Sequence, residues 1–398
     1  MESSESVNKR IKWQIFFMSI LGLWPLQKDN FYRKFRVGYS LSQLIIVTVS
    51  MIYQFIINCS DIDDTFDSYL VLIFSILIFI KMYYTSTRRE YLKQLLISSY
   101  QDWESMKDTE DIKLMVNNSE LYNNISLLIF SFGFVSVILY DIQIVIFTDS
   151  SAKPILNDYS NKTIYKHQHK FLLPGSCIYD DVSKNLYYVV LINQMVQSFI
   201  IVAGLICSDA MFVLVTSHIC GQFDILIKRM EKFCDNDYDF EINEHELIII
   251  IQRHQHLIFL SNCLEIVYNK IILMQMGACL TSLSFAGVGL LMSINENDII
   301  IAMRSVNTIN FVILGSYIYA YPADNLSSKG DVMLNAIYCS YWYKIPIVHK
   351  NIIFMMMRLF ITPYLTAGKF FNLTNESFMG ILKTAFSYLS VLRLVTMK

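Results

Sequence analysis

Seven apolar runs constrain this chain more than any other feature. They cover residues 37–60, 68–87, 121–148, 185–222, 271–295, 305–323 and 377–395. A helix of 18 or more apolar residues spans a hydrocarbon core of about 30 Å. Charges inside the runs are few: Lys81, Asp141, Asp209, Lys383 and Arg393. Only 17% of the chain is charged, against about 25% in soluble domains. The mean hydropathy is +0.41. These values point to an all-α membrane protein with seven transmembrane helices. The net charge of −2 carries no sign of a nucleic-acid partner; membrane lipid is the expected surrounding.

Loop charge sets the orientation. The N-terminal segment and the second, fourth and sixth loops hold 22 Lys and Arg, and the first, third and fifth hold 6. By the positive-inside rule the N-terminus is cytoplasmic and, after seven spans, the C-terminus is extracellular. Residues 15–26 mimic a signal peptide but end in Trp24-Pro25 without a small-residue cleavage site. They are expected to stay attached and lie in the membrane interface, with Trp13 and Trp24 as anchors. Two segments are too long for a bilayer. Residues 244–293 contain no proline and as one helix would reach about 75 Å. The fourth run, continued through Lys232, is similarly overlong. Both excesses fall on the cytoplasmic side, and with residues 331–364 they are expected to form a helical cytoplasmic anchor. The expected division is a cytoplasmic or interfacial segment at 1–36, six transmembrane helices with cytoplasmic extensions at 37–323, an anchor helix and break at 324–376, and a last transmembrane helix at 377–398.

No catalytic, cofactor or metal pattern emerges. His167/His169 and His254/His256 are spaced i, i+2 and point to different helix faces. There is no nucleophile elbow, P-loop or dinucleotide fingerprint. Lys81 and Asp209 lie near the cytoplasmic ends of their runs, where snorkelling is the expected arrangement. Asp141 is nearer the outer end of its run, facing either a cavity or the wet surface. Of eight cysteines, Cys59 and Cys177 fall in outside loops, which leaves a disulfide between them open. Among the sequons, Asn161 is the expected glycosylation site, because Asn58 hugs the membrane and the others fall inside.

The last run carries the most specific pattern. Gly380, Thr384, Ser387, Val391 and Val395 recur at spacings of four, three, four and four, which is one helical stripe. It is small or hydroxylic first and ends in two valines. A wettable groove closed by an apolar ring suits a pore with a dewetting gate. Small residues also let helices approach closely, so a packing face is the alternative.

Several strings resemble the insect odorant receptor family, closest to its wasp, ant and bee branch. They are LTAGKFF from Leu365, ILK from Ile381 and SYLSVLR from Ser387, with LGLWP from Leu21, HICGQF from His218 and the Ala336, Tyr338, Trp342, Tyr343 pattern. The resemblance implies a subunit of an odorant-gated, non-selective cation channel in olfactory sensory neurons. This chain would tune the ligand and assemble with a shared co-receptor, with subunits meeting at the cytoplasmic anchor. Aligned to the family's last helix, Val391 falls at the apolar constriction and Val395 one turn outward. The resemblance also places a small volatile ligand among the outer halves of spans two to six. The residues expected there are Phe74, Leu77, Phe134, Val137, Ile138, Tyr187, Tyr188, Leu191, Met195, Phe285, Asn307, Asn310 and Phe311, since aromatic faces and thioethers adapt to ligand shape. The alternatives are an insect gustatory receptor, whose last span usually reads Thr-Tyr, five apolar residues and then Gln-Phe, a pattern from which Ser387-Tyr388 followed by Leu389-Ser390-Val391-Leu392-Arg393 departs, and a G-protein-coupled receptor, which needs the opposite orientation.

Overall fold

The computed structural model describes residues 11–57, 62–120, 152–156, 163–167, 171–173, 183–233, 240–296, 299–340, 342–344, 349–361 and 364–396, with positions 124, 131, 133–135, 138 and 142 of the third run. Its described part is a helical assembly with two small hairpins. In chain order the helices are α1 (Lys12–Leu21), α2 (Phe31–Ile57), α3 (Ile62–Thr87), α4 (Arg89–Ser105), α5 (residues 109–120), α6 (Lys184–Phe233), α7 (Phe240–Glu296), α8 (Ile299–Cys339), α9 (His349–Leu359) and α10 (Asn375–Thr396). One hairpin pairs β1 (Ala152–Leu156) with β2 (Thr163–His167), and the other pairs β3 (Thr366–Ala367) with β4 (Phe371–Asn372), both antiparallel. By length and composition, four of the described helices can cross a membrane: Phe31–Ile57, Ser68–Thr87, Asn185–Lys232 and His245–Ser293. Asp141, Val137, Asn161, Cys59 and Cys177 lie outside the described residues.

The two overlong helices form as the sequence predicts. The α6 helix has 50 residues and α7 has 57. Past the bilayer they need charged partners, and they have them. On α4, Asp102 accepts from His218 Nε2 at 3.0 Å and from Arg253 Nη2 at 2.6 Å. On α5, Asp111 pairs with Arg229 at 2.7 Å. Glu110 accepts from Lys228 and Lys232, which hold its carboxyl at about 2, well below the usual range. Lys329 of α8 reaches Asp224 of α6 at 2.6 Å.

The α8 helix runs through a proline. Pro322 stands inside it, and the helix runs on to Cys339. A proline costs a helix interior one hydrogen bond and a steric clash. Here packing outweighs that cost, because Tyr319, Ala320, Ala323 and Leu326 around it are fully buried.

Two expectations are corrected. Trp24 is only 6% exposed and packs in the core, while Trp13 at 57% remains free to meet lipid. The α1 helix ends at Gly22, whose φ of 75° is left-handed, and this turns Leu23 and Trp24 inward. Lys81 and Asp209 do not snorkel. They form an ion pair at 2.6 Å with both residues buried. The Tyr319 hydroxyl donates to the same Asp209 oxygen, and the Lys81 ammonium lies 5.1 Å from the Tyr319 ring centroid. Phe212, one turn along α6, stacks on Tyr319 at 4.7 Å and meets Tyr268 of α7 edge-on at 4.9 Å. One cluster therefore joins α3, α6, α7 and α8. A single apparent snorkeller gives no sequence sign of a partner 128 residues away.

This arrangement makes a definite prediction for thermal unfolding of the full chain in detergent. Lys81→Met or Asp209→Leu alone leaves an unpaired buried charge and should destabilise by about 3–5 kcal/mol. The double variant should recover most of that loss, since apolar replacement of a buried pair is close to neutral. Singles that unfold like the wild type would mean that water reaches the pair.

Candidate functional site

The geometry of α10 begins in the hairpin before it. Gly368 and Lys369 both have positive φ, 60° and 67°, which reverses the chain between β3 and β4. The hairpin is bolted to α7. Gly368 N donates to Asn269 O at 2.8 Å, and Thr366 N donates to Glu265 Oε2 at 2.9 Å. The Thr366 hydroxyl donates to the other Glu265 oxygen. A Cβ on Gly368 would come within 2.6 Å of Leu273 Cδ2, so Gly is needed here for its conformation and for its size.

Helix α10 then starts from a reciprocal cap. Thr374 N donates to Ser377 Oγ at 2.9 Å, and Ser377 N donates to Thr374 Oγ1 at 3.1 Å. This is the geometry of a capping box with serine in place of the usual glutamate. Asn375 Nδ2 donates to Asp324 Oδ2 at 2.7 Å, tying the start of α10 to α8. Above that point one face packs: Phe378 and Ala385 are buried, and Ile381 and Leu382 pack against the core. Ala385 joins Cys279 and Leu283 of α7 and Val312 of α8 in a small apolar cluster. At Gly287 of α7 the absent side chain admits Leu389.

Among the described residues, the opposite face has no such cover. Gly380, Thr384, Ser387 and Val391 are all exposed, Val391 at 57%. An added Cβ at Gly380 would meet nothing within 4 Å. The Thr384 hydroxyl donates to Gly380 O at 2.8 Å, so it is satisfied by its own helix. The stripe read from the spacing is therefore on the outward face. Among the described residues these four side chains are not packed into the subunit, so a pore face and a packing face against another subunit are both compatible with their exposure. Val395 lies in α10, but its side chain is outside the description. Met379, Phe386 and Tyr388 flank the stripe and are exposed too.

The residues expected around a ligand fall into separate groups. Tyr187 and Leu191 are buried together with Leu172, with Met195 and Phe171 packed against them. Gln194 Oε1 accepts from Leu172 N at 3.0 Å and so holds that strip of loop on α6. Phe74 of α3 meets Phe311 of α8 edge-on at 5.8 Å. Phe285 of α7 stacks on Tyr69 at 3.5 Å. Phe134 stacks on Phe17 of α1 at 4.2 Å, a contact with the N-terminal helix that nothing in the sequence signals. Leu77 is fully buried in the helix assembly. Ile138, Tyr188, Asn307 and Asn310 are exposed on the subunit. Tyr69, the partner of Phe285, is not among the residues expected from the sequence. Its place at the outer end of the second run, opposite a phenylalanine four residues beyond the Thr281 hydroxyl, is a weak signal without the helix pairing.

The fit of Leu389 into Gly287 is testable without any ligand. Gly287→Ala puts a methyl group where Leu389 now lies and should destabilise the chain by about 1–3 kcal/mol, the usual cost of overpacking. Adding Leu389→Ala to that variant should recover at least half of the loss in a thermal unfolding series. Equal, purely additive losses would show that the two residues do not touch.

The model of a family described as 7tm odorant receptor matches residues 61–386. A curated relative, odorant receptor 47a of Drosophila melanogaster, is 25% identical over 238 residues; the match covers 56% of this chain and 58% of the relative. Among solved structures, the olfactory receptor OR5 of Machilis hrabei superposes with a TM-score of 0.70 at 13% identity, covering 98% of this chain and 99% of that one. The same receptor in complex with eugenol gives 0.73 at 13% identity, covering 99% and 100%. At that identity the likeness is one of fold.

Proposed function

Since this chain belongs to the 7tm odorant receptor family, we propose that it is the ligand-tuning subunit of an odorant-gated, non-selective cation channel in the plasma membrane of olfactory sensory neurons. Small volatile molecules bind in the outer half of the helix assembly, and a pore forms beside α10. Co-receptor subunits complete the ring, each giving its own last helix. The N-terminus is cytoplasmic and the C-terminus extracellular.

The observation that carries this reading is the outward face of α10. A last helix with one packed face and one small, hydroxylic and uncovered face is suited to a water-filled path shared between subunits. The fixed hairpin at its cytoplasmic end and the cap at Thr374 and Ser377 give it a defined pivot. Val391 stands on the outward face near the outer end. A ring of valines about one water molecule across resists wetting, because water there loses hydrogen bonds without compensation. Ligand binding favours the state in which the last helices part, by its higher affinity for that state.

Expressed alone, this chain should give little odorant-evoked current. With a co-receptor it should give a rapid cation current that persists without GTP. In the same cells Val391→Ser should raise the resting current several-fold while leaving the rank order of odorants unchanged, because the ligand region is remote. A current abolished by GTP removal would point to a G-protein-coupled receptor, and a Val391→Ser channel with wild-type resting current would remove Val391 from the gate.

A further inference from the structure

A cavity of about 340 Å³ lies between α7 and α9, within the size range of small-molecule sites. It is far from the outer ligand region. His254, one of its lining residues, comes 17 residues before the apolar run that starts at 271, about 25 Å along the helix. The walls are apolar: Ile251 and Ile258 come from α7, and Phe354 and Met355 from α9. Two nitrogen-bearing side chains join them, His254 of α7 and Arg358 of α9.

Neither of these two side chains is fully used by the protein itself. His254 is only 3% exposed, and among the described residues neither of its ring nitrogens has a hydrogen-bond partner. Its ring meets that of Phe223 edge-on at 6.4 Å. Burying a polar group without a partner is unfavourable, so the site gains from a ligand that supplies one. Arg358 Nη1 donates to Ile361 O at 3.0 Å. Among the described residues its other N–H groups meet no acceptor, and no Asp or Glu lines the cavity. The other cations of the anchor differ, since Lys228, Arg229, Arg253 and Lys329 are each matched to a carboxylate. A guanidinium without a counter-charge and an unpaired imidazole, set in one apolar cavity, are complementary to an anion with an apolar body.

We infer that this cavity is a ligand site separate from the outer one, and that it takes small organic carboxylates with an aromatic or aliphatic body. A carboxylate presents two acceptor oxygens in one plane, which matches the fork of the Arg358 guanidinium. The imidazole of His254 has an N–H to donate to the same group. The body of the ligand then lies against the two isoleucines, Phe354 and Met355. The corresponding amide keeps size and shape but loses the charge and one acceptor oxygen. Helix α9 leads through the β3–β4 hairpin into α10, so a ligand that joins α9 to α7 acts on the segment that carries the last helix.

The probe is 3-phenylpropanoate, with 3-phenylpropanamide as its neutral match, titrated against the purified full chain in detergent and read by thermal unfolding. The acid should raise the unfolding midpoint saturably, and the amide should need at least about ten times the concentration for the same shift. Arg358→Gln should raise the concentration of acid required by a similar factor. Lys350→Gln removes an exposed cation of the same helix that does not line the cavity and should leave the titration unchanged. Ile258→Trp fills the apolar end with every charge kept and should abolish the shift, which preserves the test if Arg358→Gln fails to fold. No shift in the wild type, equal shifts from acid and amide, or an acid shift that survives both Arg358→Gln and Ile258→Trp would overturn the inference. An equal loss in Lys350→Gln and Arg358→Gln would also overturn it, as a general charge effect. The same titration on the chain assembled with a co-receptor should give the same shift. A shift seen in the free chain and absent from the assembly would show that a neighbouring subunit fills the cavity, and would overturn the inference as well.

Discussion

Asp209 is the residue to which the described helices are most firmly referred. Its carboxylate takes the Lys81 ammonium at 2.6 Å and the Tyr319 hydroxyl on the same oxygen. Those three side chains come from α3, α6 and α8, and Phe212 carries the contact on to Tyr268 of α7. A buried ion pair adds little net stability over an apolar core, but losing one partner is severe. Its consequence is therefore positional. The helices cannot slide past one another without exposing a charge to an apolar interior. Below this level the chain is held by salt bridges between α4, α5, α6, α7 and α8 that range from largely buried at Asp102 and Asp111 to exposed at Glu110. Above it, packing is apolar and aromatic with scattered glutamines.

That division assigns different work to the two halves. The cytoplasmic half is a lattice of paired charges, and it fixes the hairpin at Thr366–Asn372 through Glu265 and Asn269 on α7. The outer half contains the unsatisfied groups at Gln54 and Ser282 and the exposed part of α10. Change is cheapest where hydrogen bonds are unmade and side chains are uncovered. Helix α7 links the halves, since it runs unbroken from the anchor past the hairpin to Gly287, where it touches α10.

Much of this was legible in the sequence, and the reasons are specific. The length of α7 follows from 50 residues without proline and with persistent apolar periodicity. The face of α10 follows from Gly380, Thr384, Ser387 and Val391, whose spacing selects one side of a helix whatever surrounds it. Pairings between distant segments were not legible. Lys81 near a span end looks the same whether it snorkels or meets Asp209, because local sequence reports depth and not neighbours. A proline such as Pro322 disfavours a helix interior, and the burial of Tyr319, Ala320 and Ala323 around it explains why the helix continues. Gln54 is one polar residue in an apolar run, and its lack of a partner exists only in three dimensions.

The central claim is that the uncovered stripe of α10 borders water between subunits rather than lipid. Single cysteines along the helix, probed from outside with a charged thiol reagent during odorant exposure, measure this directly. The account predicts current-altering modification at Gly380, Thr384, Ser387 and Val391, on a helical period, and protection at Phe378 and Ala385, which face α7 and α8. Modification confined to Met379, Phe386 and Tyr388, with the stripe unreactive in the open state, would contradict it.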